Sequence, residues 1–213
     1  MKISQRVLDK RFMQLAFDKA YEHLGSTKEN PSVGCVVVKN NTVISSGKTS
    51  LNGRPHAETN ALNKKKFFNG STIYVTLEPC VHYGLTAPCI DIIKKKNIKK
   101  VYYSIPDPDK RTFNKAKQLL TQSNIKVNIG IMKIDSLNFY KSYILSKDKR
   151  KLPYIDAKIA ISKDYYSVNK KAKWITNNYF SKSQCCSRNK FHINFKNSFL
   201  KLINSILILR TVS

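Results

Sequence analysis

From residue 33 to residue 131, short apolar runs rich in β-branched residues alternate with stretches of helical periodicity. A chain patterned in this way has to bury a sheet between helices. Asp9 is placed to cap a helix running to about Leu24, with Phe12, Leu15, Ala16, Ala20 and Leu24 at helical spacing and Gly25 as the stop. Val33–Val38 and Thr42–Gly47 read as a hairpin turned at Lys39-Asn40-Asn41. A helix is expected from about His56 to Phe68, a strand at Thr72–Leu77, a helix at Cys89–Lys96 and a strand at Lys100–Ile105. Asn114–Ser123 follows as a helix, Lys126–Ile131 as a fifth strand and Ser136–Leu145 as a closing helix. Strands alternating with helices after an opening hairpin predict an α/β layered fold with a mixed sheet.

With 213 residues the chain has room for one full domain and a fragment, or for two small ones, and needs no disulfide staple. Its five cysteines, an odd number with Cys185 and Cys186 adjacent, do not form a secreted framework. Met1–Lys10 lacks the apolar core of a signal peptide. The most apolar stretch, Phe199–Val212, is interrupted by Lys201, Asn204 and Arg210, so no spanning helix and no membrane partner are expected. A soluble, cytoplasmic protein is the resulting expectation. Composition changes near residue 147, where Lys147-Asp148-Lys149-Arg150-Lys151 forms a polar connector, dividing the chain into residues 1–146 and 147–213. Beyond Asp164 there is no acidic residue, and beyond Gly130 no glycine.

Lysine and arginine number 39 against 13 acidic residues, a formal net charge of +26. Such a balance suits nucleic acid or an anionic surface. Here the lysines are spread along the whole chain, and runs such as Lys64-Lys65-Lys66 and Lys94-Lys95-Lys96 fall at expected helix ends, where they complement the helix dipole. A solvated basic face accounts for them, and a small phosphorylated substrate would also profit from the same field.

Three potential metal ligands each follow a proline: Pro55-His56, Pro79-Cys80 and Pro88-Cys89. Proline is favoured at helix entrances, and a thiol at a helix N-terminus is shifted toward the thiolate that binds metal. One imidazole and two thiolates make a three-ligand zinc site with an open fourth position, the catalytic arrangement. Glu58 lies two residues after His56. At a helix entrance its carboxylate can reach an activated water without ligating the ion, and can pass the water's proton to a leaving amine. His-x-Glu followed by Pro-Cys pairs matches the zinc-deaminase signature, here with eight residues between Cys80 and Cys89.

The stretch Leu77-Glu78-Pro79-Cys80-Val81-His82-Tyr83-Gly84-Leu85-Thr86-Ala87-Pro88-Cys89 resembles the deaminase domain of the riboflavin-biosynthesis deaminase–reductase family, within the cytidine/deoxycytidylate deaminase superfamily. Asn30-Pro31-Ser32-Val33-Gly34, Pro55-His56-Ala57-Glu58 and Asp107-Pro108-Asp109 match it in order, over about residues 9 to 146. The resemblance implies a three-layer α/β/α fold. It also implies hydrolytic deamination of 2,5-diamino-6-(5-phosphoribosylamino)pyrimidin-4-one to the corresponding aminouracil and ammonia. It assigns zinc, one ion per chain, to His56, Cys80 and Cys89, the proton shuttle to Glu58, and substrate contacts to Asn30 and His82. The family's usual basic residue, proline, histidine and asparagine are replaced here by Leu85, Ala87, Thr49 and Asp109. Lys158–Asp164 and Lys173-Trp174-Ile175-Thr176 resemble the opening of the reductase domain, where Ala160 and Trp174 would stand near NADPH, and after Asn177 the match ends. The expectation is therefore a truncated reductase start that does not use NADPH.

The residues alone leave other readings open. His82, two residues after Cys80, could close a purely structural zinc site, and Glu58 could be an ordinary first-turn helix acid. A deaminase of another nucleotide or of tRNA, or a basic zinc-stabilised nucleic-acid-binding protein, is the alternative function. Self-association is equally open. Cys35 reads as a small buried hydrophobe and Cys185-Cys186 as incidental.

Overall fold

A computed structural model describes residues 4–64 and 67–148. The expected reductase opening, with Ala160, Trp174 and the Cys185-Cys186 pair, lies outside the described residues, as does most of the 147–213 segment. Five strands form one sheet in the order β2-β1-β3-β4-β5, with β1 at Gly34–Lys39, β2 at Thr42–Lys48, β3 at Thr72–Val75, β4 at Lys100–Tyr103 and β5 at Lys126–Ile129. The hairpin partner β2 and the central strand β3 both run antiparallel to β1, while β3, β4 and β5 are mutually parallel. The sheet is mixed, as the pattern predicts.

Helix α1 (Gln5–Tyr21) packs on β1, and α2 (Ala57–Leu62) packs on β2 and β1. Two glycines show how closely they dock. A Cβ on Gly34 would overlap the Ala16 carbonyl of α1, and one on Gly47 would overlap the Ala57 carbonyl of α2. Helix α3 (Cys89–Lys95) lies beside α2 and α4 (Lys115–Thr121), and α4 packs on β5. Phe139 of α5 (Lys133–Phe139) makes edge contacts with Phe17 and Tyr21 of α1, so α5 and α6 (Lys141–Ser146) join the α1 layer. The core between the layers is built from Met13, Phe17, Val36, Val37, Leu62, Ile73, Val75, Ile93 and Leu120.

Several expected boundaries move, for physical reasons. Helix α1 starts four residues before Asp9, with Ser4 as its N-cap. Asp9 is buried inside it, accepting hydrogen bonds from Tyr74 Oη at 2.6 Å and Gln5 Nε2 at 2.8 Å. A buried carboxylate that finds such donors has no need to cap. Helix α2 stops at Leu62, and Phe68 enters the core from the loop beyond it. Strand β3 ends at Val75: the Thr76 N–H still donates to the Gly34 carbonyl, but the Gly34 N–H is taken by the side-chain Oγ1 of Thr76.

The single closing helix expected at Ser136–Leu145 is two helices that meet at Tyr140. Tyr140 is drawn into the core, its hydroxyl 2.6 Å from Thr76 Oγ1 and donating to the Ser32 carbonyl at 3.1 Å. Tyr140→Phe strands those two partners in the interior and is expected to cost about 1–2 kcal/mol, read as a lower urea midpoint. An unchanged midpoint would show that the hydroxyl network does not hold α5 and α6 in place.

Candidate metal centre

The three proline-flanked residues converge at the carboxyl end of β3. His56 is the N-cap of α2, Cys80 lies in the loop that follows β3, and Cys89 is the first residue of α3. The prolines stand at the helix entrances as expected, Pro55 just before the N-cap of α2 and Pro88 as the N-cap of α3. His56 Nδ1 is 3.3 Å from Cys89 Sγ and 3.5 Å from Cys80 Sγ, and the Cys89 N–H donates to Cys80 Sγ at 3.3 Å. All three ligand atoms lie within 4.8 Å of one another.

The donor set fits zinc. A tetrahedral ion bound at about 2.3 Å to sulfur and about 2.0 Å to nitrogen holds those atoms roughly 3.5 Å apart. That is the separation found here between the imidazole and the thiols. Two soft sulfurs and one imidazole suit zinc over magnesium or calcium. The charges inside the cluster are shared unevenly, and the lowered thiol is Cys80 rather than Cys89, the one expected to gain from the helix N-terminus. The Cys80 thiol is pulled down to about 4, chiefly by the Cys89 thiol donating to it and further by His56. The same interaction with Cys80, together with burial, pushes the Cys89 thiol well up. The His56 imidazole is raised, first by its contact with Cys80.

Glu58 stands in the first turn of α2, only 3% exposed. Burial, then the neighbouring Cys80, lifts its carboxyl to about 7. It faces Cys89 yet is not part of the ligand cluster. His82 is also outside the cluster, its Nδ1 3.1 Å from Thr112 Oγ1. Asn30 donates its Nδ2 to the Gly53 carbonyl at 3.2 Å in the turn that leads to His56.

The substituted positions have separate fates. Thr49 is buried, with its Oγ1 accepting from the Val33 N–H. Asp109 is clasped by Arg111, and this contact holds its carboxyl well below the usual range. Leu85 is 88% exposed at the tip of the loop.

Glu78 has a role that nothing in the motif's spacing singles out. Its buried carboxylate accepts the N–H groups of Asp107, Asn114 and Ala116 at 3.0, 3.0 and 2.9 Å. It thus caps α4, whose own N-cap Asn114 makes no side-chain bond, and ties the loop bearing Thr112 to the loop bearing Cys80. Burial raises its carboxyl despite those donors. Glu78→Gln turns an amide NH2 toward the backbone N–H groups and is expected to cost about 2–4 kcal/mol. Thermal unfolding of the two proteins checks this, and equal midpoints would remove the clamp.

Comparison with known proteins places this geometry in context. The family model for the cytidine and deoxycytidylate deaminase zinc-binding region matches residues 6–105. The riboflavin biosynthesis protein RibD of Aquifex aeolicus is 35% identical over 174 residues, 80% of this chain and 49% of its own. The diaminohydroxyphosphoribosylamino-pyrimidine deaminase of Buchnera aphidicola (subsp. Schizaphis graminum) is 41% identical over 119 residues, 55% of this chain and 81% of its own. The structure of RibD from Acinetobacter baumannii matches with a TM-score of 0.65 at 39% identity, covering 68% of this chain and 42% of that one. The chain spans about half the length of the RibD relatives it matches.

Proposed function

Because the chain belongs to the cytidine and deoxycytidylate deaminase family, in the group that holds the riboflavin-biosynthesis deaminases, we propose that it hydrolytically deaminates 2,5-diamino-6-(5-phosphoribosylamino)pyrimidin-4-one. The products are 5-amino-6-(5-phosphoribosylamino)uracil and ammonia. The observation that carries this reading is the convergence of His56, Cys80 and Cys89 beside a buried carboxylate that is not one of them.

In this reading His56 Nδ1 and the two sulfurs hold one zinc ion. Bound zinc supplies a Lewis acid that makes water a usable nucleophile near neutral pH. Glu58 accepts a proton from the attacking water and delivers it to the exocyclic amine, which leaves as ammonia when its bond to the ring carbon breaks. Burial of Glu58 keeps bulk water from short-circuiting that transfer. Asn30, its amide nitrogen fixed by Gly53, turns its oxygen toward the substrate's N–H groups. His82, oriented by Thr112, lines the pocket from the loop side. The net reaction exchanges an amine for an oxygen without oxidation or reduction, so this step has no use for NADPH.

The deciding experiment incubates zinc-loaded protein with the diaminopyrimidine phosphate and measures ammonia and the aminouracil product together. Equal amounts of both are expected, with cytidine, dCMP and tRNA turned over far more slowly. Preferential release of ammonia from one of those three would replace this substrate assignment.

A further inference from the structure

One charged side chain at the lip of the metal centre is used neither by the ligand cluster nor by Glu58. Arg54 stands two residues before His56, half-buried, and among the described residues no carboxylate lies within ion-pair distance of it. Its Nη1 donates to Thr86 Oγ1 at 2.7 Å. Its Nη2 lies 3.5 Å from where a Cβ on Gly84 would stand. The guanidinium therefore reaches from the His56 segment onto the loop between the two cysteines.

Arg54 Nη1 is also 3.4 Å from His56 Nε2. Both sulfurs lie on the Nδ1 side of the ring, so with zinc held through Nδ1 the hydrogen is on Nε2. Two N–H donors consequently face one another, one of them on a permanent cation. A ligating histidine ordinarily gives its outer N–H to a carboxylate, a carbonyl or water. Here a guanidinium occupies that neighbourhood, and an acceptor placed between the two donors, best an anionic one, would take both. The planar fork of arginine matches the oxygens of a phosphate, which can take several N–H groups at once.

We propose that Arg54, with the Thr86 hydroxyl and the Nε2–H of His56, forms an anion site that binds the phosphoryl group of the substrate. This rests on the deaminase reading for its substrate, but the site itself follows from the donor geometry. It makes Arg54 a specificity-determining residue that selects phosphorylated over unphosphorylated pyrimidines. Leu85, at the tip of the same loop, offers no charge for that purpose.

The test uses zinc-loaded, full-length protein and ribose 5-phosphate as the probe, with ribose as the uncharged reference. Isothermal titration compares the wild type with Arg54→Gln and Lys94→Gln. Lys94 lies with Lys99 near the amino-terminal ends of β3, β4 and β5, away from the metal centre, and controls for the general pull of a basic protein on anions. Arg54→Gln is expected to weaken ribose 5-phosphate about 10–100-fold, the worth of one or two charge-assisted hydrogen bonds. Zinc content and the weak binding of ribose are expected to stay as they are, and Lys94→Gln to bind like the wild type. The proposal is overturned if the wild type binds ribose 5-phosphate no better than ribose, or if the two variants weaken it equally. A wild type that binds the probe through Arg54 yet releases no ammonia would sink the deaminase reading and leave the anion site standing. Where ammonia is released, Arg54→Gln lowers kcat/KM more for the phosphorylated substrate than for its dephosphorylated form. Equal losses on both would also overturn the proposal.

Discussion

Glu58→Gln is expected to keep zinc at one ion per chain while ammonia release falls by about 10²–10⁴-fold, the range that a positioned general acid–base contributes. Glutamine has the same shape and fits the same space, so packing in the first turn of α2 survives. What disappears is the ability to take a proton from water and return it to the amine. The substitution also removes a carboxylate that burial and the adjacent Cys80 destabilise in its charged form. The variant is therefore expected to unfold at the same temperature as the wild type or slightly above it. Zinc analysis, circular dichroism and the ammonia assay on one preparation separate the possibilities. Loss of zinc in step with activity would make Glu58 a ligand and end its assignment as the proton shuttle.

Cys89→Ala is expected to lose metal and activity together. Cys89 is 1% exposed at the start of α3, and alanine there offers no ligand atom. One imidazole and one thiolate remain, and zinc is expected to bind at least about 100-fold more weakly, since the loss of an outer partner alone costs 10–100-fold. Metal-competition titration with a chelator reads this directly. Tight zinc retained by the variant would require a substitute ligand, with His82 the first to examine. Its Nδ1 is turned to Thr112, which argues against such a rescue.

Much of this molecule is legible in one dimension. The alternation of β-branched runs and helical stretches locates all five strands to within a few residues. It does so because the inner strands β1 and β3 are buried on both faces and have to be apolar, while the edge strands keep the β-branched pattern. The metal-ligand candidates are legible for a different reason. Histidine and cysteine placed after prolines carry their chemistry with them, whatever surrounds them. Errors collect where a residue's partner is remote. Asp9 looks like a cap to any local rule, and only its contact with Tyr74, 65 positions away, shows why it is buried instead. Tyr140 looks like one more position in a closing helix until Thr76 and Ser32 claim its hydroxyl.

The sequence by itself determined the layered α/β class, the mixed sheet and which side chains are candidate donors, because periodicity and residue chemistry are local properties. Only the tertiary structure decided which residues hold the site in shape and which remain free to bind. The parallel order β3-β4-β5 brings the loops after β3 and β4 to the same end of the sheet. There Glu78 meets backbone groups 29 to 38 residues further on, and Arg54 meets Thr86 across 32. A hydrogen bond between such distant positions leaves no spacing to read. It exists because strand pairing fixes two loops within a few ångströms, where buried polar groups have to find partners.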